Sequence, residues 1–425
     1  MNIPKVQKPR IIVIGGGFAG INFIKSMSKV PVQIVLFDKR NYHTFQPLLY
    51  QVSTAGLEPD SIAYPLRKIF RRNKDFHFRM ADVYTIHAQT NEVETSVGTL
   101  AYDYLVIATG TKTNFFGNEQ VAKYSMPMKT VPQALNIRSL ILQNIEIADQ
   151  TKDSIEQERL LNFVIAGAGP TGVELAGALA EFRKGILEKD YPTLNEQNMQ
   201  IHIIEGANRV LAAMSEQASK KAQKFLEGLG VRVHLNTLVS DYDGKLVVTN
   251  TGDVYPSATF IWAAGVTGAP VKGLAADSIH GKWNRYLVDA FNLVTGHENI
   301  YALGDIALMI TEDWPTGHPQ VAQPAIQQGK HLAKNLKLKL DGKPMNPFSY
   351  FDKGSMATIG RNKAVVDFKK ISFGGFFAWF LWMFVHLWYL VGFRNRVVTF
   401  FNWSYNYINY DRAARLIIRP FKRIS

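Results

Sequence analysis

Two glycine-rich hexads, Gly15-Gly16-Gly17-Phe18-Ala19-Gly20 and Gly167-Ala168-Gly169-Pro170-Thr171-Gly172, carry the spacing G-x-G-x-x-G. That spacing lets a main chain cradle a pyrophosphate. The first glycine makes the tight turn, the second lets the phosphates approach the backbone, and the third lets a helix lie close on a strand. The helix that follows adds N–H donors and the positive end of its dipole. Each hexad sits where this needs it. The strands Arg10–Ile14 and Asn162–Ala166 precede them, and helical stretches follow, Phe18 to about Lys29 and Val173–Phe182. A second strand then ends in an acid placed to hold ribose hydroxyls. Val32–Phe37 ends at Asp38 and Gln200–Ile204 at Glu205. A glycine cluster alone is weak evidence; with both strands and the acid it is strong.

The second acid comes later than the usual ~20 residues, and an insertion around 185–198 accounts for the excess. Glu205 repels a 2′-phosphate, so NADH is expected over NADPH; Arg209 is the counter-signal, since an arginine can accept that phosphate. Two cradles need two dinucleotides. The economical pairing is a non-covalently held FAD in the first and a transient nicotinamide in the second. Three more short strands end in small residues, where a flat ligand can approach the backbone. They lead into Ala108-Thr109-Gly110, Ala263-Ala264-Gly265 and Gly304-Asp305, and Asp305 suits the ribityl chain of FAD. The fold class that follows is α/β, with two Rossmann-like, three-layer domains on parallel sheets. The charged, helix-like segment 131–160 between the repeats is expected on the outside.

Composition limits the chemistry. The 425 residues are 47% hydrophobic, enough for large cores. A net charge of +13 favours an anionic partner, unless it serves solubility alone. There is no cysteine, which removes disulfides, thiolate metal sites and thiol redox relays. The ten histidines show no ligand spacing, so no structural metal is expected. The polar N-terminus shows no apolar secretion signal, which points to the cytoplasm or the membrane face bordering it.

After about residue 347 the composition changes. Between Lys370 and Arg394 no residue carries a fixed charge, and Phe, Trp, Leu and Val dominate. Basic residues flank the run (Lys369, Lys370, Arg394, Arg396), and further aromatics (Phe400, Phe401, Trp403, Tyr405, Tyr407, Tyr410) and arginines (Arg412, Arg415) follow. The run has the length of a transmembrane helix, which needs ~20 apolar residues. It equally suits a buried core helix, or an interfacial anchor with basic residues at the headgroups. His386 within it reads as a core or interface histidine.

Taken together, these motifs resemble the two-dinucleotide disulfide reductase superfamily, and within it the type II NADH dehydrogenases, single-subunit NADH:quinone oxidoreductases. The resemblance spans essentially the whole chain. It rests on the stretch Asn41-Tyr42-His43-Thr44-Phe45-Gln46-Pro47-Leu48-Leu49-Tyr50-Gln51, on Gly167–Glu174 with Leu175-Ala176-Gly177, on Ala322-Gln323-Pro324-Ala325-Ile326-Gln327, and on Gly392-Phe393-Arg394-Asn395-Arg396. It implies a non-proton-pumping enzyme that passes a hydride from NADH to FAD and two electrons on to menaquinone or ubiquinone. It implies a monotopic C-terminal anchor on anionic lipid at the cytoplasmic face of the inner membrane, no nucleic-acid partner, and a homodimer as in similar proteins.

The resemblance also assigns roles. Glu174 orients the nicotinamide or relays a proton; on position alone it reads as a first-turn acid pairing with the helix dipole. Gln323 and Gln327, four apart on one helix face, offer amides to a quinone carbonyl; alone they read as solvated glutamines. Lys39, Val83, Ala322 and Gln323 join Gly15, Gly17, Phe18, Ala19, Gly20, Asp38, Ala108, Thr109, Gly110 and Asp305 around FAD. The NADH set is Gly167, Gly169, Thr171, Gly172, Glu174, Glu205, Ala264 and Gly265. The expected domains are 1–112 with 285–345 for FAD, 113–284 for NADH, and 346–425 for anchor and quinone access. Disulfide reductases and sulfide:quinone reductases share the fold but need cysteines. The alternative from another class is a slow-turnover NADH-sensing flavoprotein that binds a partner.

Overall fold

Parallel strands buried on both faces must be apolar along their whole length, and the two hexads each follow such a strand. The computed structural model describes residues 1–368, 371–409 and 414–423, so Lys369, Lys370, Tyr410 and Arg412 lie outside the described residues. The chain divides into two compact units. The first comprises residues 1–43, 64–112 and 266–353, and the second 44–63, 113–265 and 354–425.

The first unit is built on a five-stranded parallel sheet, in the order Ile300–Ala302, Tyr104–Ile107, Arg10–Ile14, Gln33–Asp38, Phe76–Met80. Ile11, Ile12 and Val13 at its centre are fully buried. The helices Phe18–Ser26 and Ala322–Leu340 lie against each other. Gly329 makes this close approach necessary, because a Cβ there would stand 2.5 Å from the Ala19 carbonyl oxygen. The unit also holds a three-stranded antiparallel meander, Val83–His87, Glu92–Thr95 and Gly98–Ala101, and a small mixed sheet, Ile279–His280, Arg285–Leu287 and Ala307–Leu308.

The second unit repeats the plan. Its parallel sheet runs Met126–Pro127, Thr259–Trp262, Asn162–Ala166, Gln200–Ile204, Val231–His234. It too carries a meander, Val239–Tyr242, Leu246–Thr249 and Val254–Pro256. The residues after Phe182 form a widened π-turn, Arg183–Leu187, and a short 3₁₀ turn, Glu196–Asn198, inside the expected insertion. Segment 131–160 departs from expectation. Its helix Val131–Gln150 is buried through Ile137–Ile145, and Asn144 bonds Thr259 of the sheet at 2.7 Å. The charges that suggest an outer segment lie, all but Arg138, past Ile145, where the chain is mostly exposed, and the apolar part before them decides the place of the first helix.

The C-terminal segment adds an antiparallel sheet, Ser355–Gly360, Lys363–Phe368 and Ile371–Gly374, then helices Phe376–Tyr389 and Phe393–Asn409. The uncharged run is therefore a strand plus a 14-residue helix. Fourteen residues span only about 21 Å, against a hydrocarbon core of about 30 Å. Among the described residues no helix is long and apolar enough to cross a membrane. The compact units also differ from the expected domains. Residues 266–284 and 346–353 belong with the first unit, while 44–63 and 354–425 belong with the second. The reason lies in contact. The Ser355–Gly360 strand is seated on helix Pro170–Phe182 at Gly177, where a Cβ would meet the Ile359 carbonyl oxygen at 2.3 Å.

That contact gives a stability test. Gly177→Ala should cost about 1–3 kcal/mol through overpacking and lower the Tm by several degrees in a thermal melt. An unchanged Tm would show that the strand retreats freely.

Candidate functional site

The two glycine turns are superimposable in their chemistry, bond by bond. At the first, Gly15 (φ +107°) presses on the Ala108 carbonyl, where a Cβ would stand at 2.3 Å, and its N–H bonds Phe37 at 2.8 Å. At the second, Gly167 (φ +99°) presses on Ala263 and Ala264, and its N–H bonds Ile204 at 2.8 Å. A Cβ on Gly20 would lie 2.0 Å from the Gly15 oxygen, and one on Gly172 1.9 Å from the Gly167 oxygen. No side chain but hydrogen is possible at either position. Gly17 and Gly169 face open space, and neither helix start carries a side-chain cap. Their orphan N–H groups are thus left for an anion.

The acids close each turn in the same way. Asp38 accepts from the Gly16 N–H at 2.6 Å and the Arg40 N–H at 2.8 Å. Glu205 accepts from the Ala168 N–H at 2.6 Å and the Ala207 N–H at 2.8 Å. Burial raises the Asp38 carboxyl above its ordinary pKa, and those two amides with Arg40 and Lys39 pull it back. Arg209 bonds the Ala212 carbonyl at 2.8 Å instead of turning to Glu205.

Around the first turn the expected residues gather within the first unit. Phe18 meets His43 edge to face at 5.0 Å, Ala19 is buried, and Lys39 is exposed. Val83 opens the meander at its register shift. Thr111 donates to Asp305 at 3.3 Å, beside the Ala108-Thr109-Gly110 turn. Among the described residues the buried Thr109 hydroxyl has no hydrogen-bond partner. Open space at Gly17 together with that orphan hydroxyl fits a dinucleotide lying along the turn. Two residues here escaped the sequence reading as side chains. His43 is fully buried and bonds the Gly16 carbonyl through Nδ1 at 3.0 Å, and burial drives its pKa down to about 4. Gln328 accepts from the Gly304 N–H at 2.7 Å and fixes the approach to Asp305. Only its place one residue past Gln327 hinted at it.

Gln323 and Gln327 share a helix face, as their spacing predicts. Both address one extended segment: Gln323 accepts from the Lys353 N–H at 3.2 Å, and Gln327 bonds Phe351 N–H and C=O at 3.1 and 2.9 Å. They are not solvated glutamines. In this structure Gln327 uses both ends of its amide on protein. Ala322 begins that helix.

Glu174 is the most unusual acid of the second unit. It is buried, and burial pushes its carboxyl up to about 8, only partly offset by the Thr358 N–H and the Trp382 indole. The Thr358 amide lies 3.4 Å away. Glu174 is the fifth residue of helix Pro170–Phe182, so it is not the first-turn acid paired with the helix dipole that its position alone suggests. It lines a cavity of about 140 Å³ with Tyr50, Glu181, Trp379, Trp382 and Trp403. Trp382 stacks on His386 at 4.1 Å, and His386 bonds the Trp382 carbonyl at 2.7 Å. Burial holds His386 down to about 4, so it is a neutral packed histidine. In the NADH set, Gly265 (φ +79°) leaves room for Phe116, whose ring a Cβ would strike at 2.5 Å; Ala264 precedes it and Thr171 is exposed.

The C-terminal helices divide their faces sharply. Ala378 and Trp382 are buried, while Phe376, Phe380, Phe384 and Trp388, four apart, are exposed. Phe393, Phe400, Phe401, Tyr405 and Ile408 continue that exposed apolar surface on the next helix.

Comparison with known proteins agrees with this geometry. The pyridine nucleotide-disulphide oxidoreductase family matches residues 9–329, and the NDH2 C-terminal domain matches 353–409. The chain is 36% identical to the type II NADH:quinone oxidoreductase NdhA of Mycobacterium tuberculosis, over 96% of this chain and 89% of that protein. It is 33% identical to the Ndh enzyme of the same organism, over 97% and 92%. Among solved structures, NDH2 of Plasmodium falciparum in complex with NADH has the same fold, with a TM-score of 0.87 at 22% identity over 97% of this chain and all of that one.

The buried acid makes a signed prediction. An unfolded Glu ionises near its ordinary value, while Glu174 keeps its proton up to about 8. Folded protein therefore binds the extra proton, and wild-type stability falls as pH rises between those two values. The Tm advantage of Glu174→Gln over wild type should widen from about pH 5 to about pH 8 and then level off. A gap that is flat with pH would mean that Glu174 is already ionised.

Proposed function

The chain belongs to the type II NADH:quinone oxidoreductases, and from that premise we propose that it oxidises NADH through bound FAD and reduces a membrane quinone. The observation that carries the reading is the pair of complete dinucleotide cradles in a chain without cysteine. Without a thiol relay, electrons that enter from a nicotinamide must leave to a diffusible acceptor. FAD supplies the two-electron chemistry of the exchange.

The chain's own residues bind, orient and move protons. The first turn, with Asp38, Thr109 and Asp305, holds the flavin nucleotide, and the second turn with Glu205 holds NADH. Glu205 faces a ribose diol well and a 2′-phosphate badly, since like charges repel. Glu174 is neutral at physiological pH and so has a proton to give. The aromatic walls beside it (Trp379, Trp382, Trp403) suit a flat, uncharged quinone ring, whose reduced oxygen would take that proton. Gln323 and Gln327 carry the family's quinone-site motif, and in this reading they fix segment 351–353 beside the quinone. The exposed phenylalanine stripe docks on anionic lipid without crossing it, with Arg394 and Arg396 at the headgroups, on the cytoplasmic face of the inner membrane.

A slow sensor would bleach with NADH but not be reoxidised by quinone. The enzyme is expected to bleach and recover within each turnover when a short-chain ubiquinone or menaquinone is added. NADH should exceed NADPH in kcat/KM, and Glu205→Ser should shift that ratio toward NADPH by roughly tenfold. Equal kcat/KM in the wild type would reject the assigned role of Glu205. Phe377→Glu with Phe393→Glu, both about four-fifths exposed, should reduce co-sedimentation with vesicles containing anionic lipid. Undiminished binding would move the docking surface elsewhere.

A further inference from the structure

Helix Pro170–Phe182 carries a second carboxylate into the cavity of Glu174. Glu181 lies seven residues on, two helical turns or about 10 Å along the axis, on the same face. Both acids line the same cavity. Glu181 accepts a hydrogen bond from the Arg361 N–H, which fixes it at the end away from Glu174. Ten ångströms is too far for direct proton transfer, but a cavity of about 140 Å³ admits several waters, each of which needs roughly 10–15 Å³ of such space.

Just past Glu181 the helix widens into the π-turn Arg183–Leu187. Its Ile186 is 1% exposed and lines two cavities at once, that of Glu174 and a second one. The second is polar, walled by Glu146, Asp149, Asp190, Tyr191 and Arg415 with Phe182 and Leu142. Tyr191 donates to Glu146 at 2.7 Å, and Arg415 pairs with Asp190 at 3.1 Å. Ile186 is thus a wall shared by a carboxylate-lined pocket and the cavity that holds buried Glu174 and half-buried Glu181. The other titratable groups on the inner cavity are Tyr50, Tyr407 and Arg361.

We propose that Glu181 is the relay through which Glu174 regains its proton from the outer carboxylate-lined pocket, with the Ile186 side chain as the gate. This rests on the quinone-reductase reading. The balance is closed by it. NADH delivers two electrons and one proton as hydride, and a quinone needs two electrons and two protons. The missing proton leaves Glu174 as its O–H bond breaks and the quinol O–H forms. The Glu174 carboxylate then takes a proton through cavity water from Glu181, and Glu181 takes one from the outer pocket. One proton per turnover comes from the aqueous medium.

The full-length protein is assayed with NADH and a short-chain ubiquinone across pH, in water and in heavy water. Glu181→Gln keeps an acceptor for the Arg361 amide but cannot carry a proton. It should lower kcat roughly tenfold above about pH 8, enlarge the solvent isotope effect, and be partly rescued by a small permeant acid such as formate. Its rate of flavin bleaching by NADH, read separately by stopped flow, should stay near that of the wild type. Ile186→Ala, which opens the wall, should shrink the isotope effect. A Glu181→Gln enzyme with the wild-type pH profile and isotope effect overturns the relay. If that variant does not fold, an unchanged isotope effect in Ile186→Ala overturns it instead. A wild type that bleaches but reduces no quinone defeats the functional reading itself, which is a different result.

Discussion

Everything in this chain depends on two places where a helix touches a turn so closely that only hydrogen fits between them. A methyl group at Gly20 or Gly172 would sit about 2 Å from a carbonyl oxygen. The contact forces the helix start against the strand end, and that is what points its free N–H groups at one spot. In each unit the half-buried acid at the end of the neighbouring strand closes the same turn. The close contact occurs twice with nearly the same distances, so the chain holds two nucleotide cradles of one design.

The second of these helices does more than hold phosphate. From Gly169 to Leu187 it carries an anion site, a buried acid, a glycine that receives the C-terminal strand, a second acid and a widened turn. The C-terminal strand and the aromatic helix Phe376–Tyr389 supply Thr358, whose amide bonds Glu174, and Trp382, which lines the same cavity. Thus the segment with the exposed phenylalanines also walls the cavity of Glu174, and its Thr358 amide partly offsets the burial that keeps the acid protonated.

Much of this was legible in the sequence. The glycine spacing, the β-branched strands, Asp38 and Glu205 fix the two Rossmann-like folds, since backbone geometry there admits few residue types. The one-face placement of Gln323 and Gln327 was legible for the same reason. What was not legible depends on distant partners. The surroundings of Glu174 include Thr358, Trp379, Trp382 and Trp403, all far along the chain. The assignment of 44–63 to the second unit follows from bonds such as Trp403 to Gln51 and Asn395 to Asp60 and Ala63. Helix Val131–Gln150 looked external because three charges in its sequence outweighed the apolar face between them. The uncharged run near residue 380 was long enough to suggest a span; Gly374-Gly375 breaks it into a strand and a short helix.

The twin latches of Asp38 and Glu205 have a consequence for speed. Each carboxylate is already fastened to two backbone amides, so the loop that meets a nucleotide is stiff before any nucleotide arrives. Binding then loses little loop entropy, and affinity need not be high to secure the right pose. For a resident flavin this gives permanence. For a passing nicotinamide it removes a loop rearrangement from the encounter, so capture is not slowed by it.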